Sequence, residues 1–269
     1  KIWNSFKLID LPLRILTSVI LAPLTLAVIY IGTPYITFLM FLTVFLILSE
    51  YKKISKKSYL DIQVLLMISG SFISILVTLN SFMFSLSLIL FFFFLVSLIN
   101  YRNNEPFLYN SFFFLYSVIP AIILLFIYDY VGFITILWML CVIWASDIGG
   151  YIFGNLFGGM KLIPKVSPNK TWSGAIGSVF CSVLVSGILL YLTSNEWSLL
   201  SSFFAFLVSI IGQLGDIIQS GFKRYYKVKD TGTIFPGHGG VMDRVDSLWL
   251  ASILLFFIVI FTNSGVETW

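Results

Sequence analysis

Long apolar runs separated by short polar segments make up most of the sequence. A helix needs about 20 mostly apolar residues to cross the hydrocarbon core of a bilayer. This pattern predicts an all-α polytopic integral membrane protein with about nine transmembrane helices. The shortest join, at Gly32 to Pro34, also admits one kinked helix, but two separate spans fit the length better. The predicted spans are residues 11–31, 34–48, 60–79, 82–99, 107–127, 131–152, 171–193, 197–219 and 247–262.

The composition excludes a soluble globular protein. Of the 269 residues, 59% are hydrophobic and 10% are charged, whereas soluble domains carry about 25% charged residues. Too little polar surface is present to cover a water-exposed domain, but helices that face lipid are apolar on all sides. We therefore expect a multi-pass membrane protein, located in the inner or plasma membrane if it is bacterial.

The basic residues predict the orientation, because cytoplasmic loops carry an excess of Lys and Arg. With nine spans and a cytoplasmic N-terminus, all 16 basic residues fall on the cytoplasmic side or at its edge. The opposite side receives Asp129, Glu196 and Glu267 and no basic residue. Both long polar loops, residues 153–170 and 221–246, then share the cytoplasmic side. The net charge of +4 with this distribution favours anionic ligands and an anionic membrane surface.

The chain divides into two predicted regions of different character. Residues 1–130 contain the first five spans, which hold almost no buried polar groups beyond Ser and Thr. Because Ser and Thr can hydrogen-bond their own helix backbone, this region is predicted to be a transmembrane scaffold and oligomer surface. Residues 131–269, with the last four spans and both long loops, are predicted to be the catalytic region.

Two acids stand out in the predicted spans of the second half of the chain, where an ionisable side chain costs about 2.5–3.5 kcal/mol on insertion scales. Asp147 is near the cytoplasmic end of the sixth span, and Asp216 is near the same end of the eighth. Gln213 and Ser220 share a helical face with Asp216 by their spacing. This polar stripe indicates a hydrated pocket, and two structural acids paired with nearby Lys or Arg are the alternative.

Three glycines follow Asp147 at a regular spacing. Gly150, Gly154 and Gly158 repeat every four residues, which favours close packing of helix backbones. A phosphate-cradling loop is the alternative, but the chain contains no Walker-type motif.

The run from Ser167 to Trp172 is a second candidate for anion binding. Pro168 is predicted to force a turn, which places Lys170 and Thr171 at the start of a helix. The amides and the dipole at a helix start favour an anion.

Residues 220–246 carry the strongest chemical signal. The chain's single histidine, His238, lies among glycines and is a candidate general acid or base, a phosphate donor or a structural loop residue. Asp243 and Asp246 are three residues apart at the start of the last span, so both carboxylates point the same way. Paired carboxylates suit Mg²⁺, which binds one or two of them and completes its shell with substrate phosphates. The cations of this segment are Lys223, Arg224, Lys227, Lys229 and Arg244, and its acids are Asp230, Asp243 and Asp246.

The same segment resembles a known family signature. A looser motif of that family is similar to residues 167–174, and the first five spans match only as hydrophobic helices. The family is that of the CDP-diacylglycerol synthases, also called phosphatidate cytidylyltransferases. The residues that carry the resemblance are Ser220, Phe222, Lys223, Arg224, Lys229, Asp230, Gly232, Phe235, Pro236, His238, Gly239, Gly240, Val241, Asp243, Arg244, Val245 and Asp246.

The resemblance implies a Mg²⁺-dependent transfer of CMP from CTP to phosphatidic acid, which gives CDP-diacylglycerol and pyrophosphate in phospholipid biosynthesis. It implies that Asp216, Asp243 and Asp246 hold the metal, with a second cation as a further candidate cofactor. CTP, phosphatidic acid and membrane lipid are the implied partners, a homodimer is a candidate state, and no nucleic acid is expected. The residues expected to act in catalysis are Asp216, Asp243, Asp246, His238, Lys223 and Arg224. Those expected to bind substrate are Lys170, Ser220, Lys229, Asp230, Gly239, Gly240, Arg244 and Asp147.

Two other functions remain open. A polyprenol or phytol kinase-type enzyme would also combine a polytopic fold with a nucleotide and a lipid, and it would attack a different phosphorus. An ion-coupled transporter would use Asp147 and Asp216 in an ion path. Two observations argue against transport. The charges are concentrated in one cytoplasmic loop and not along the spans, and the sequence contains no convincing internal repeat.

Overall fold

The computed structural model describes residues 17, 19–55, 57–58, 61–104, 107–164, 166–194, 197–232, 234 and 239–269. Nine α-helices and two short strands lie within this part of the chain. A single turn of 3₁₀-helix, Val266–Thr268, follows the last helix. The helices are α1 (Val19–Ile31), α2 (Tyr35–Ser55), α3 (Ile62–Thr78), α4 (Phe82–Arg102), α5 (Phe107–Val131), α6 (Phe133–Phe157), α7 (Trp172–Ser194), α8 (Leu199–Tyr225) and α9 (Met242–Thr262). The strands are β1 (Lys161–Ile163) and β2 (Ser167–Thr171).

Each predicted span overlaps one of these helices. Among the described residues, seven helices are long and apolar enough to cross a membrane, and α1 and α3 are shorter apolar helices. Gly32 has a φ of 86° and separates α1 from α2, so the chain does not form one kinked helix there. The prediction of an all-α, multi-pass membrane protein is confirmed. Residues 1–16 lie outside the described part, and the cytoplasmic N-terminus stays a prediction.

Several helix ends differ from the prediction because polar residues continue the helices. Residues 153–157, 221–225 and 242–246 are helical and not loop. Lys223 and Arg224 lie in the last turn of α8, where the negative end of the helix dipole favours cations. The two predicted site loops are therefore shorter, and part of the candidate chemistry lies on helices.

The polar segment between α6 and α7 contains an antiparallel strand pair, which the all-α prediction missed. β1 and β2 pair with Lys161 opposite Thr171. Pro168 lies within β2 and does not form the predicted turn. A two-stranded ribbon has only edge strands, where a residue without an N–H is tolerated. The ribbon brings the chain back to the start of α7.

The chain forms two compact units. The first combines residues 1–126 with residues 226–245, and the second combines residues 127–225 with residues 246–269. The polar segment that precedes α9 therefore groups with the helices that the sequence predicted to be a scaffold. The first residues of α9 belong to the first unit and the rest of the helix to the second.

A polar seam joins α3 and α4 in the first unit. Ser85 Oγ donates to the Ser74 carbonyl oxygen at 2.8 Å, and Thr78 Oγ1 donates to Ser85 Oγ at 2.9 Å. A Cβ on Gly70 would lie 2.5 Å from the Phe92 ring. The two helices therefore approach closely at a small residue, as is common for helices in membranes.

Small residues hold α6 against α7 in the second unit. A Cβ on Gly150 would lie 2.6 Å from Ser178 Oγ, and one on Gly154 would lie 3.2 Å from Thr171 Oγ1. The predicted packing role of these two glycines is confirmed. Gly158 ends α6 as its C-cap with a φ of 57°, and a Cβ there would meet no described atom within 4 Å. Its predicted part in the packing repeat is wrong.

The orientation predicted from charge gives a definite labelling result. In a background without Cys141 and Cys181, Lys165→Cys and Lys227→Cys should react with a membrane-impermeant reagent only from the cytoplasmic side, because basic segments are retained there. Glu196→Cys should react only from the other side. Labelling of the Lys165 and Lys227 positions from opposite faces would contradict the predicted orientation.

Candidate active site

A lysine and an aspartate form an ion pair in the second unit. Lys170 Nζ lies 2.8 Å from Asp216 Oδ2 and donates to the Gln213 carbonyl oxygen at 3.3 Å. Ser247 Oγ donates to Asp216 Oδ1 at 2.8 Å. The side chains of Lys170 and Asp216 are 27% and 23% exposed, so the pair is partly shielded and still reachable by a ligand. We call Lys170, Gln213, Asp216, Asp246 and Ser247 the Lys170 cluster.

The end of β2 sets the position of Lys170. Thr171 Oγ1 accepts a hydrogen bond from Gly174 N at 3.1 Å, so Thr171 caps the N-terminus of α7. The helix begins at Trp172, and Lys170 therefore precedes the cap and does not start the helix as predicted. Its ammonium group reaches α8 instead of the amides of α7.

Gly215 lets α9 pass close to α8 beside Asp216. A Cβ on Gly215 would lie 2.5 Å from the Asp246 carbonyl oxygen and 3.3 Å from Leu250 Cβ. Asp246 Oδ1 accepts a hydrogen bond from Ser247 N at 3.0 Å, and the Ser247 hydroxyl reaches Asp216. Ser247 thus contacts both carboxylates. The prediction named the two acids and missed this serine, because a serine at the start of an apolar run is a weak signal.

Gly215→Ala is expected to force α8 and α9 apart, with a cost of about 1–3 kcal/mol typical of overpacking. The thermal midpoint in detergent should fall. Gly221→Ala is the matched control on α8, because a Cβ there would meet no described atom within 4 Å. Since alanine favours a helix over glycine by about 1 kcal/mol, the control should keep or raise the midpoint. Equal midpoints for the two variants would contradict the close approach.

Asp243 lies in another polar cluster, within the first unit. Its Oδ2 accepts hydrogen bonds from Thr231 N at 2.8 Å and from Gly240 N at 3.1 Å, and Thr231 Oγ1 lies 2.9 Å away. A Cβ on Gly239, whose φ is 83°, would lie 2.9 Å from the same oxygen. Gly239 and Gly240 therefore shape the turn around Asp243, and their substrate role stays a prediction.

Glu50, in the last turns of α2, completes this cluster and was not predicted. It is 0% exposed and accepts hydrogen bonds from Thr231 Oγ1, Val241 N and Met242 N at 2.9, 2.6 and 3.0 Å. The predicted second span ended at residue 48, before this acid, and the prediction gave Glu50 no role. An acid directly after an apolar run is the signal that could have found it. We call Glu50, Thr231, Asp243 and residues 240–242 the Glu50 cluster.

Other buried polar side chains also contradict the expectation for the first five spans. Gln63, Asn100 and Asn110 are buried. Asn110 Nδ2 donates to Asn100 Oδ1 at 3.0 Å, and the Tyr51 hydroxyl donates to Asn110 Oδ1. These bonds satisfy polar groups that would be costly to bury alone. Tyr51, the residue next to Glu50, is thereby hydrogen-bonded to α5, and α5 is hydrogen-bonded to α4.

Most of the other predicted site residues lie at exposed or half-buried positions outside the two clusters. His238 falls outside the described residues, so its role stays a prediction. The remaining positions are Asp147 on α6, Ser220, Lys223 and Arg224 at the C-terminal end of α8, Lys229 and Asp230 in the segment after α8, and Arg244 on α9.

The oxygen donors of the Lys170 cluster fit Mg²⁺. Asp216, Asp246 and the hydroxyl of Ser247 lie together, and Mg²⁺ takes one or two carboxylates with phosphates and water in its shell. Each carboxylate oxygen has two lone pairs, so Asp216 keeps acceptor capacity beside Lys170 and Ser247. Within the described residues, no group of three or more His, Cys, Asp or Glu side chains is placed to hold an ion. This donor set suits a metal ion that arrives with a phosphate.

The fold is that of a polytopic membrane protein, and each of the two clusters holds charged side chains. The chain belongs to the cytidylyltransferase family, whose sequence model matches residues 12–262, and the resemblance seen in the sequence is confirmed. A phosphatidate cytidylyltransferase of Staphylococcus aureus strain COL is 45% identical over 128 residues, 46% of this chain and 48% of that protein. The protein of that name from Staphylococcus haemolyticus strain JCSC1435 is 47% identical over 128 residues, with the same coverage. The chain spans about half the length of the curated relatives it matches.

Proposed function

We propose that the protein transfers CMP from CTP to phosphatidic acid, giving CDP-diacylglycerol and pyrophosphate. The observation that carries the proposal is the family match over residues 12–262, together with relatives named phosphatidate cytidylyltransferase. The Lys170 cluster supports it, because a cation paired with Asp216, which Ser247 connects to Asp246, suits a reaction between a phosphate and a metal-bound triphosphate.

The proposed reaction is an attack by a phosphatidate oxygen on the α-phosphorus of CTP. A new P–O bond forms there, the bond to the bridging oxygen breaks, and pyrophosphate leaves with that electron pair. The attacking oxygen is already anionic at neutral pH, so it needs little help from a base. The obstacle is its repulsion by a triphosphate that carries several negative charges. Catalysis then consists mainly of neutralising this charge and positioning the two substrates.

Lys170 is proposed to hold the lipid phosphate beside the acids. Its ammonium group has three N–H donors. Two of them are directed at Asp216 and at the Gln213 carbonyl oxygen. A phosphate oxygen is the natural acceptor for the third, while Asp216 holds the ammonium in place.

Asp216 and Asp246 are proposed to hold Mg²⁺, and the metal-binding role of Asp243 that the resemblance implies stays a prediction. When bound there, the metal would supply Lewis acidity, which would offset the negative charge of the phosphates. Lys223 and Arg224, at the C-terminal end of α8, are proposed to offset the remaining charge of the nucleotide.

The choice of acceptor lipid tests the proposal. Purified protein in mixed micelles with CTP and Mg²⁺ should release pyrophosphate and form CDP-diacylglycerol when phosphatidic acid is present. Diacylglycerol is the matched control lipid, since it lacks the attacking phosphate and should give no product. Phosphorylation of diacylglycerol or of a polyprenol, with release of CDP, would identify a lipid kinase and contradict the proposal. Ion flux into vesicles without any lipid product would identify a transporter.

A further inference from the structure

Glu50 contacts both ends of the segment that joins α8 to α9. Near the start of this segment, Thr231 Oγ1 donates to Glu50 Oε2 at 2.9 Å. Near its end, Val241 N donates to Oε1 at 2.6 Å and Met242 N donates to Oε2 at 3.0 Å. The carboxylate therefore lies where the two ends meet. We call the described residues within 231–242 the signature loop.

The signature loop has no room for a side chain where it meets Glu50. A Cβ on Gly232 would lie 2.7 Å from Glu50 Oε1, and one on Gly240 would lie 2.5 Å from Glu50 Oε2. Both distances are too short for a real contact between these atoms. A side chain at either position would collide with the Glu50 carboxylate, which explains why both positions are glycine.

The surroundings of Glu50 explain how a buried carboxylate is tolerated. A buried charge is costly unless it is hydrogen-bonded, and Glu50 has three donors. Two of them are amides at the start of α9, which have no partner within that helix. The positive end of the helix dipole also favours an anion there. Glu50 thus acts as an N-terminal cap of α9 that is supplied by α2.

Thr231 connects Glu50 to Asp243. Its hydroxyl oxygen lies 2.9 Å from Glu50 Oε2 and 2.9 Å from Asp243 Oδ2. A hydroxyl has one proton to donate, so it serves one carboxylate at a time, while Thr231 N donates to Asp243 throughout. A change at Glu50 therefore reaches Asp243 through a single intervening residue.

The turn of α2 that carries Glu50 is itself anchored. The adjacent Tyr51 donates to Asn110 and stacks on Phe113, with ring centroids 4.3 Å apart. Precise placement of functional groups needs supporting residues whose own positions are fixed. Glu50 meets this condition, because a hydrogen bond and a stacked ring pair hold the neighbouring Tyr51 against α5.

We propose that Glu50 is a positioning residue that fixes the signature loop and, through Thr231 and the start of α9, places Asp243 for ligand binding. Its effect on turnover rests on the proposed function, whereas its effect on the loop does not. The helices predicted to be a scaffold then take part in building the site.

Glu50→Gln tests the proposal with little change in size. Only one terminal atom of glutamine accepts hydrogen bonds, so an N–H of the new side chain faces a donor of the loop. Hydrogen exchange on the purified full chain should show at least one of the amides of Val241 and Met242 exchanging about tenfold faster or more, since the two amides bind different oxygens and glutamine keeps only one acceptor. Amides within α6 and α7 should be unchanged. Turnover should fall by about 10–100-fold, the loss typical of supporting residues.

Asp129→Asn is the matched control for the loss of one carboxylate. Asp129 is exposed near the end of α5, and its replacement should change neither loop exchange nor turnover. Thr231→Val and Thr231→Ser form a second pair, which decides the question if Glu50→Gln does not fold. Valine removes the hydroxyl and should lower turnover, whereas serine keeps the hydroxyl and should restore it.

Two results would overturn the proposal. The first is unchanged amide exchange of Val241 and Met242 in Glu50→Gln. If Glu50→Gln does not fold, the corresponding result is full turnover in Thr231→Val. The second is faster exchange throughout α6 and α7 as well, which would show a general contribution to stability. If the wild-type protein makes no CDP-diacylglycerol, the proposed function fails, and the exchange experiment still decides the role of Glu50.

Discussion

Replacing Asp243 and Asp246 together with asparagine is expected to lower turnover by about 100-fold or more, as when a charge-stabilising group is removed from an active site. Asparagine keeps the shape of the side chain, and its oxygen can still accept the bonds that Thr231 and Gly240 donate to Asp243. It cannot supply the negative charge that favours Mg²⁺. The fold should therefore be kept while the reaction is lost.

The measurement is the initial rate of CDP-diacylglycerol formation across a Mg²⁺ titration, on protein with an unchanged thermal midpoint. Asp129→Asn again provides the control for the loss of a carboxylate. Asp147→Asn should cause a milder loss, because Asp147 is exposed on α6 and is not one of the predicted metal ligands. Near-normal rates with an ordinary Mg²⁺ response in the Asp243 and Asp246 double variant would show that these acids do not hold the metal.

Breaking the Lys170–Asp216 pair is expected to have the next largest effect. Asp216→Asn removes the carboxylate that lies 2.8 Å from Lys170 Nζ, and Lys170→Met removes the cation beside Asp216. Each single variant should have a lower free energy of unfolding than the wild type. The decrease should lie between the roughly 1 kcal/mol of an exposed ion pair and the roughly 3 kcal/mol of a buried one. Turnover should fall by about 100-fold or more, since both groups are proposed to act on the phosphates.

The Lys170→Met and Asp216→Asn double variant separates the structural role of the pair from its functional role. With both charges removed, neither is left unpaired, and the thermal midpoint should return toward that of the wild type. Turnover should nevertheless stay low. Lys161→Met, which removes an exposed lysine from β1, is the control for the loss of one cation. Recovery of turnover together with stability would show that the pair is only structural, which is the alternative that the sequence left open.

The helices could be predicted because burial in lipid imposes a length and an apolar composition that few other structures share. Their ends could not be predicted equally well. Hydropathy falls at Lys223 and Arg224, yet α8 continues through them, because cations are favoured at the C-terminal end of a helix. The strand pair was missed for a related reason, since β1 has only three residues and shows no pattern.

The candidate acids could be predicted from their chemistry, but their partners could not. Asp216 stands out as a charge within an apolar run, whereas its partner Lys170 is 46 positions earlier in the sequence. Glu50 and Met242 are separated by 192 positions, and nothing in the local sequence of either residue indicates the other. The sequence therefore identified Asp216 and missed Glu50, and the fold was needed to show what satisfies each carboxylate.

The fate of the two ends of the CTP triphosphate tests the central claim most directly. Purified protein is incubated with phosphatidic acid, Mg²⁺ and CTP that is labelled at either the α- or the γ-phosphorus, and the lipid and aqueous products are separated. Attack at the α-phosphorus predicts that the α label enters the lipid and that the γ label is recovered in pyrophosphate. Transfer of the γ label to the lipid, or no Mg²⁺-dependent lipid product with CTP, would contradict the account.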